Sequence, residues 1–242
     1  MSLTKITRIK YTGLFLLLMG CLMACSTLPN QVEPDIKSEP LPIISSVNGW
    51  RTVRFQIRWQ LDQEPEWYID TMLAGEIIAP VLASNAGKQL RFWRVHRRAK
   101  HDPTGHAFSF IFYTHNKNAS DIYNAISGNP TLAQWQREGR IANIQYDDLT
   151  HNQQPNIEDT SDKSWPLEIQ KTWPSFMMGS SRMWLDLIAE IKVINPQKKD
   201  SLEHYYQEIQ QQITLLWQEN GQHAWLHHLN ALYGYSPLAI HF

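Results

Sequence analysis

A cluster of basic side chains between residues 88 and 101 is the strongest indication of chemistry in this sequence. The stretch holds six lysine and arginine residues together with His96, and no acidic residue occurs between Glu76 and Asp102. Guanidinium groups bind phosphate and carboxylate groups through paired hydrogen bonds. The stretch therefore predicts a surface that binds an anionic molecule. The alternative is a solvated face whose charges pair with later acidic residues, namely Asp147, Asp148, Glu158 and Asp159.

Two histidines and an aspartate in one predicted turn form a second candidate site. His101, Asp102 and His106 are close in sequence, and a carboxylate can orient a histidine that acts as a general base. This arrangement would suit a hydrolase or a transferase. No serine nucleophile with a matching context is present, so turn formation is the better explanation of these residues.

A third group of possible ligands lies near the C-terminus. Glu219, His223 and His227 are spaced four residues apart, so one helix face could present all three. Zinc needs three or four ligands and further residues that orient them, and the His-Glu-x-x-His pattern is absent. We interpret these residues as surface histidines and predict neither a metal nor a cofactor.

The elements that must position these residues can be predicted between residues 47 and 148. Residues 51–60 alternate between apolar and polar, which is typical of a strand with one buried face. Helical spacing follows from Ile69, two strands are predicted at 90–98 and 106–114, then another helix and a strand at 140–146. The order strand, helix, strand, strand, helix, strand predicts a ferredoxin-like α+β domain over residues 47–148, with an antiparallel sheet.

Strand alternation also predicts where the basic side chains lie. Arg94, His96 and Arg98 share one face of their strand, because alternate residues point the same way. Arg54 and Arg58 lie on the polar face of the first strand. If both sets share the open face of the sheet, they form a basic platform. We predict that this platform is the contact region, with the aromatic residues Trp59 and Trp93 beside it.

Residues 149–242 predict a helical extension packed on this domain. Pro174 is expected to break the chain between helices, and the helix at 177–194, which is apolar on nearly all sides, is expected to be buried and not to lie on the surface. Residues 202–216 carry a regular apolar stripe, and a last helix follows Asn220-Gly221. Trp165 and Trp173 are eight residues apart and should pack on one face. An alternative function follows if the helices enclose an apolar pocket, namely a carrier of lipid or another hydrophobic ligand.

The first 24 residues have the features of a secretory signal peptide. Lys5, Arg8 and Lys10 precede an apolar stretch that is too short to span a membrane, and it ends in Leu22-Met23-Ala24-Cys25. This ending resembles the lipobox of bacterial lipoproteins, and Cys21 ends a second acceptable match. The resemblance implies cleavage before Cys25 and acyl chains on that cysteine. Several chains hold a protein stably on a bilayer.

The residues after Cys25 bear on location. Residues 25–46 are rich in proline and polar residues, which is typical of a flexible tether. Ser26 follows the cysteine where retained inner-membrane lipoproteins usually have aspartate, so the resemblance implies the periplasmic face of the outer membrane. The inner membrane and the cell surface are the alternatives.

Composition narrows the class of partner. Removing the three positive charges of the signal takes the formal net charge from −1 to about −4, which does not favour nucleic acid. The chain has two cysteines, Cys21 inside the predicted signal and Cys25 directly after it. Cleavage before Cys25 and lipidation of that residue would leave no cysteine for a disulfide.

A further similarity rests on an aromatic strand with an arginine, a turn with an aspartate and a following histidine. The residues that carry it are Phe92, Trp93, Arg94, Asp102 and His106. In this pattern the stretch from 67 to 113 resembles the C-terminal domain of lantibiotic dehydratases. Phe108 and Phe110 stand where that family has arginines, so no catalytic role is carried over. The resemblance agrees with the predicted fold.

Together these observations predict a non-enzymatic lipoprotein of the bacterial envelope. Its partners are the membrane, through the N-terminal lipid, and an envelope protein or anionic lipid. The candidate binding residues are Arg54, Arg58, Arg94, His96 and Arg98, and the alternative catalytic residues are His101, Asp102 and His106.

Overall fold

The computed structural model describes residues 48–58, 64–98, 105–151, 153–196 and 201–238. These residues belong to one compact unit. The predicted signal peptide, the predicted lipidation site Cys25 and the predicted tether lie outside the described residues. Within the described ranges, no helix has the length and apolar character that crossing a bilayer requires.

A four-stranded sheet lies at the centre of the fold. Its strands are β1 (Asn48–Ile57), β2 (Phe92–Arg97), β3 (Ala107–His115) and β4 (Ile141–Tyr146). They lie in the order β2-β3-β1-β4, and every neighbouring pair is antiparallel. With helices between β1 and β2 and between β3 and β4, this is the ferredoxin-like topology. The predicted fold class is therefore confirmed.

The helical connections follow the predicted order. Between β1 and β2 come α1 (Tyr68–Leu73), a π-helical segment (Ala74–Ile78), α2 (Ala79–Ala83) and α3 (Asn85–Lys88); between β3 and β4 come α4 (Asn116–Ser127) and α5 (Pro130–Arg137). Pro80 lies in the first turn of α2, where a missing N–H group is tolerated, so the helical path continues. The side chain of His115 caps α4, because it accepts a hydrogen bond from the Asn118 N–H group.

Strand alternation divides the sheet into a buried face and an open face. The buried face is strongly aromatic and aliphatic, and the helices pack against it. Its fully buried members include Val53, Phe55, Phe108, Phe110 and Phe112. Burial of such side chains contributes about 1.5–3 kcal/mol each, so this face supplies much of the driving force for folding.

The C-terminal extension packs against one edge of the sheet and against α1. It consists of a 3₁₀ helix (Ile157–Thr160), α6 (Leu167–Ile194), α7 (Leu202–Gly221), a second π-helical segment (Gln222–His227) and α8 (His228–Leu232). Ser181 of α6 accepts a hydrogen bond of 3.1 Å from the backbone N–H group of Val95, at the edge strand β2. The predicted stripe of α7 is confirmed, since its central residues Tyr205, Tyr206, Ile209 and Ile213 are buried.

The expectation that Pro174 breaks the chain is wrong. Pro174 lies inside α6, which is continuous over 28 residues. Proline has no N–H group, so the carbonyl group of Gln170, four residues earlier, loses its helical donor. The hydroxyl group of Ser161 donates a 2.8 Å hydrogen bond to that carbonyl oxygen. A donor from outside the helix thus replaces the missing backbone bond.

The expectation that the helix at 177–194 is buried holds for one face only, which carries Leu185, Ile188 and Ile191. Met183, Val193 and Ile194 are 38%, 77% and 72% exposed. The helix meets the sheet at its edge strand, so only one of its faces is covered. The predicted pairing of Trp165 with Trp173 is confirmed, because their ring centroids lie 4.9 Å apart.

Polar side chains fasten the extension to the first helical connection. Lys192 donates to the carboxylate of Glu76 at 2.8 Å and to the hydroxyl oxygen of Tyr206 at 3.0 Å, and Tyr206 donates to the same carboxylate. Partial burial acts to raise the pKa of Glu76, but the hydrogen bonds from Lys192 and Tyr206 outweigh it and lower that pKa. Gly75 makes room for the Tyr206 ring, since a methyl group there would meet its hydroxyl.

Candidate functional site

The antiparallel register brings basic residues from two strands to the open face of the sheet. Ser109 of β3 lies opposite Arg54 of β1 on one side and opposite His96 of β2 on the other. Neighbouring strands are about 4.8 Å apart, so the backbones of Arg54 and His96 are separated by about 10 Å. Arg94 and Arg98 flank His96 along the same face of the chain. The predicted basic platform is therefore a row that crosses three strands, with Ser109 of β3 between the basic residues of β1 and β2.

A depression of about 540 Å³ lies over this row. Among the residues that line it are Thr52, Arg54, His96, Arg98, Ser109 and Ile111. The small side chain of Ser109 forms its middle, between the longer basic side chains. The depression thus has a shape that can admit a group about the size of a phosphate between charged walls.

Arg94 lies at the margin of the depression and not in its lining. One of its terminal nitrogens lies 3.4 Å from the carbonyl oxygen of Thr160, a long hydrogen bond to the 3₁₀ helix. That segment also covers Trp50, whose indole N–H group donates to the carbonyl oxygens of Asn156 and Ile157. One end of the open face is therefore closed by the extension, and the end with Arg54 and His96 remains open.

The electrostatics of the open face favour an anion. The pKa of His96 is lowered by partial burial and, in addition, by the positive charges of Arg94 and Arg98. Burial also lowers the pKa of Arg94. For His96, the guanidinium groups of Arg94 and Arg98 thus add to the cost of holding a positive charge on this face. A bound anion would relieve that repulsion.

The acidic residues expected to neutralise the platform have other partners. Asp148 contacts His151 and Asp159 contacts Lys163. Among the described residues, neither Arg54 nor Arg94 forms an ion pair with a carboxylate. The charges of these two arginines are therefore not neutralised by carboxylates in the described part of the chain.

Two parts of the predicted contact region differ from expectation. Arg58 is exposed beyond the end of β1 and does not line the depression. Trp93, expected beside the arginines, is only 5% exposed and packs on the buried face near Phe110. The reason is strand alternation, which sends Trp93 to the face opposite Arg94. Trp59 lies outside the described residues.

His106, one of the alternative catalytic residues, lies inside the protein. It is 1% exposed, and its Nε2 lies 2.9 Å from Oδ1 of Asp70, which is fully buried. Because a carboxylate accepts, His106 donates from Nε2. His101 and Asp102 lie outside the described residues. Among the described residues, the carboxylate that orients His106 is therefore that of Asp70, which was not predicted from the sequence.

Arg97 joins the same buried group. Its Nε donates to Asp70 at 2.7 Å and its Nη2 donates to the backbone oxygen of Trp67 at 2.8 Å. The guanidinium carbon lies 4.9 Å and 5.1 Å from the ring centres of Trp67 and Trp184. The alternation of β2 in the sequence was enough to predict that Arg97 lies on the face opposite Arg94, which is the buried face. A buried arginine needs a carboxylate partner. No local signal identified Asp70 as that partner.

The histidines near the C-terminus do not form a metal site in the described part of the chain. His223 and His227 stack with ring centroids 5.2 Å apart. No group of three metal-ligating side chains with suitable geometry occurs among the described residues.

Comparison with known proteins adds no assignment to this geometry. No protein family, curated protein or solved structure matches this chain. The functional argument therefore depends on the residues of the open face.

Proposed function

We propose that this protein is a lipid-anchored protein of the bacterial envelope whose open sheet face binds a phosphate-bearing envelope component without catalysing a reaction. The observation that carries the proposal is the basic row formed by Arg54, His96 and Arg98 around Ser109. The lipobox-like ending at Cys25 supports the anchor, and Ser26 supports the periplasmic face of the outer membrane.

The chemistry of the depression supports phosphate as the recognised group. The guanidinium group of Arg54, which forms no ion pair with a carboxylate among the described residues, can offer N–H donors to a phosphate, and Ser109 adds a hydroxyl group. A charge-assisted hydrogen bond contributes about 1.5–3 kcal/mol, so Arg54 alone accounts for appreciable affinity. The lowered pKa of His96 adds a group that becomes charged when an anion arrives.

The buried position of His106 supports a binding role over an enzymatic one. A general base must come within hydrogen-bond distance of its substrate. His106 is 1% exposed and its Nε2 is directed at Asp70. A substrate in the depression would meet Arg54, His96 and Ser109, which have no activated nucleophile among them.

Isothermal titration of the full chain with inorganic pyrophosphate, in neutral detergent, tests the binding site. Arg54→Gln removes one guanidinium group from an exposed face without opening the core. Loss of its charge-assisted bond should weaken binding by about 10- to 100-fold. Arg137→Gln, on an exposed position of α5, is the matched control and should leave the dissociation constant unchanged.

The same titration separates phosphate from an acidic protein partner. Binding of pyrophosphate that is equal in wild type and Arg54→Gln would exclude this face as the phosphate site. Binding of an oligoglutamate peptide in the absence of any pyrophosphate binding would assign the platform to an acidic protein segment.

Cell fractionation tests the anchor separately. Cys25→Ser removes the acceptor sulfur, so the product should leave the membrane fraction and lose the mass of its acyl chains. A product that stays on the membrane with unchanged mass would contradict the lipoprotein assignment.

A further inference from the structure

A second recess lies on the other side of β2, between the two long helices of the extension. It has a volume of about 250 Å³, and of the residues that line it only Arg97 also lines the depression on the open face. Leu187 and Trp184 of α6 form one wall, and Ile213, Trp217 and Trp225 form the other, with Arg97 at the end. The volume is slightly below the usual range of small-molecule pockets, so the recess suits a small ligand.

Arg97 gives the recess a fixed polar end. Its guanidinium group lies between the rings of Trp67 and Trp184, and Nε is held by Asp70. Nη1 has no hydrogen-bond partner among the described residues, and the side chain is 25% exposed. A guanidinium group held in this way loses little entropy when it binds an acceptor.

Gln210 and Thr214 extend the polar character along one side. Gln210 Oε1 accepts from the Thr71 hydroxyl at 2.6 Å and from Arg97 Nη2 at 3.3 Å, and its amide donates to Thr214 at 3.0 Å. The direction of the Gln210 amide is therefore set by its neighbours. The Thr214 hydroxyl in turn donates to the backbone carbonyl of Gln210 at 2.9 Å, so the donor that this end offers to a ligand is Arg97 Nη1.

The opposite end of the recess is a pair of stacked tryptophans. Trp217 and Trp225 lie 5.5 Å apart with rings 15° from parallel. In a regular α-helix, residues eight apart would be about 80° apart around the axis. The π-helical segment Gln222–His227 turns more slowly and returns Trp225 to the face of Trp217. Gly221 leaves room for both rings, since a methyl group would lie 2.9 Å from Trp217.

We infer that this recess binds a medium-chain carboxylate, with its carboxylate at Arg97 Nη1 and its alkyl chain along Trp184, Trp217 and Trp225. The positive end excludes an ammonium head group, and the apolar walls favour an alkyl chain over a hydrophilic anion such as phosphate. The small volume of the recess favours a single medium-length alkyl chain over the two long chains of a phospholipid. This ligand would occupy the space between the helices and would meet the depression on the open face only at Arg97.

Titration of the full chain with octanoate, octanol and octylammonium tests the inference, with calorimetry and tryptophan fluorescence as readouts. Octanoate should bind at least about tenfold more tightly than octanol, and octylammonium should bind most weakly. This comparison needs no substitution of Arg97, whose loss would disturb the buried group around Asp70. Equal affinity for octanoate and octylammonium would overturn the inference.

Variants at the recess test the position of the chain. Thr214→Trp fills the exposed mouth and should reduce octanoate affinity by about tenfold or more, and Trp217→Ala removes a wall with a comparable effect. Leu215→Ala is the matched control on the same helix, because Leu215 is 45% exposed and does not line the recess. Arg54→Gln should leave octanoate binding unchanged. Unchanged affinity in Thr214→Trp would show that octanoate binds elsewhere.

Discussion

The hydrogen bond between Ser161 and the Gln170 carbonyl explains how α6 tolerates Pro174, and it gives a quantitative prediction. Ser161 and Gln170 are 7% and 8% exposed, and the bond is 2.8 Å long. In Ser161→Ala the buried carbonyl has neither its helical donor nor the hydroxyl group. Leaving a buried acceptor unsatisfied costs about 1–3 kcal/mol, so we expect the free energy of unfolding to fall by that amount.

A double-mutant cycle separates this explanation from a general effect of losing a hydroxyl group. In a Pro174→Ala background, the N–H group of residue 174 can donate to the Gln170 carbonyl, so Ser161→Ala should then cost less than about 1 kcal/mol. The expected coupling between the two sites is about 1 kcal/mol or more. Urea denaturation followed by tryptophan fluorescence measures all four proteins.

Ser180→Ala is the matched control for this cycle. Ser180 also donates to a carbonyl of α6, that of Phe176, but at an exposed position where the helix supplies its own N–H group. Its loss should change the free energy of unfolding by less than about 0.5 kcal/mol. Equal costs for Ser161→Ala in both backgrounds would refute the proposed role of Ser161.

Three further predictions concern the buried ionic group, a close approach and the open face. Asp70→Asn removes the carboxylate that Arg97 and His106 share. We expect the free energy of unfolding, measured by urea denaturation, to fall by about 3 kcal/mol, the lower end for a buried pair, because Arg97 is partly exposed. Asp121→Asn, at an exposed position of α4, is the control and should change it by less than about 0.5 kcal/mol. Gly75→Ala places a methyl group against the Tyr206 hydroxyl and should lower the free energy of unfolding by about 1–3 kcal/mol. Gly179→Ala, in open space on a helix, should raise it by about 0.5–1 kcal/mol. Similar effects at both glycines would contradict the close approach of Gly75 to Tyr206. A bound anion raises the lowered pKa of His96, so the complex takes up a proton when it forms. The ratio of the pyrophosphate affinity of the wild type to that of His96→Gln should therefore increase as the pH falls from about 7.5 to about 5.5. A ratio that does not depend on pH would exclude His96 from the site.

The sheet could be predicted from the sequence because strand alternation is a local property. The pattern around Val53 and Phe55 predicted both the strand and its buried side, and the same period placed Arg54 on the open face. The error over Trp93 was avoidable, since its position in the strand already assigned it to the buried face. Local periodicity thus carried most of the fold and part of the site.

The features that could not be predicted depend on contacts between distant parts of the chain. Pro174 was expected to break a helix because no local rule supplies the donor from Ser161. Asp70 lies 27 residues from Arg97 and 36 from His106, so nothing in the local pattern joins them. The apolar residues around Asp70 in the sequence, Ile69, Met72 and Leu73, were the available hint that an acid there is buried and must have partners.

Photo-crosslinking in intact cells tests the binding face most directly. Ile111 lines the depression opposite Arg94, so a photo-crosslinking residue at this position should capture a phosphate-bearing envelope molecule, identified by mass spectrometry. The same residue at the exposed position of Lys171 on α6 should not capture it, and Arg54→Gln should abolish the product at position 111. Equal capture at both positions, or a product at position 111 that carries no phosphate, would contradict the proposed role of the basic row.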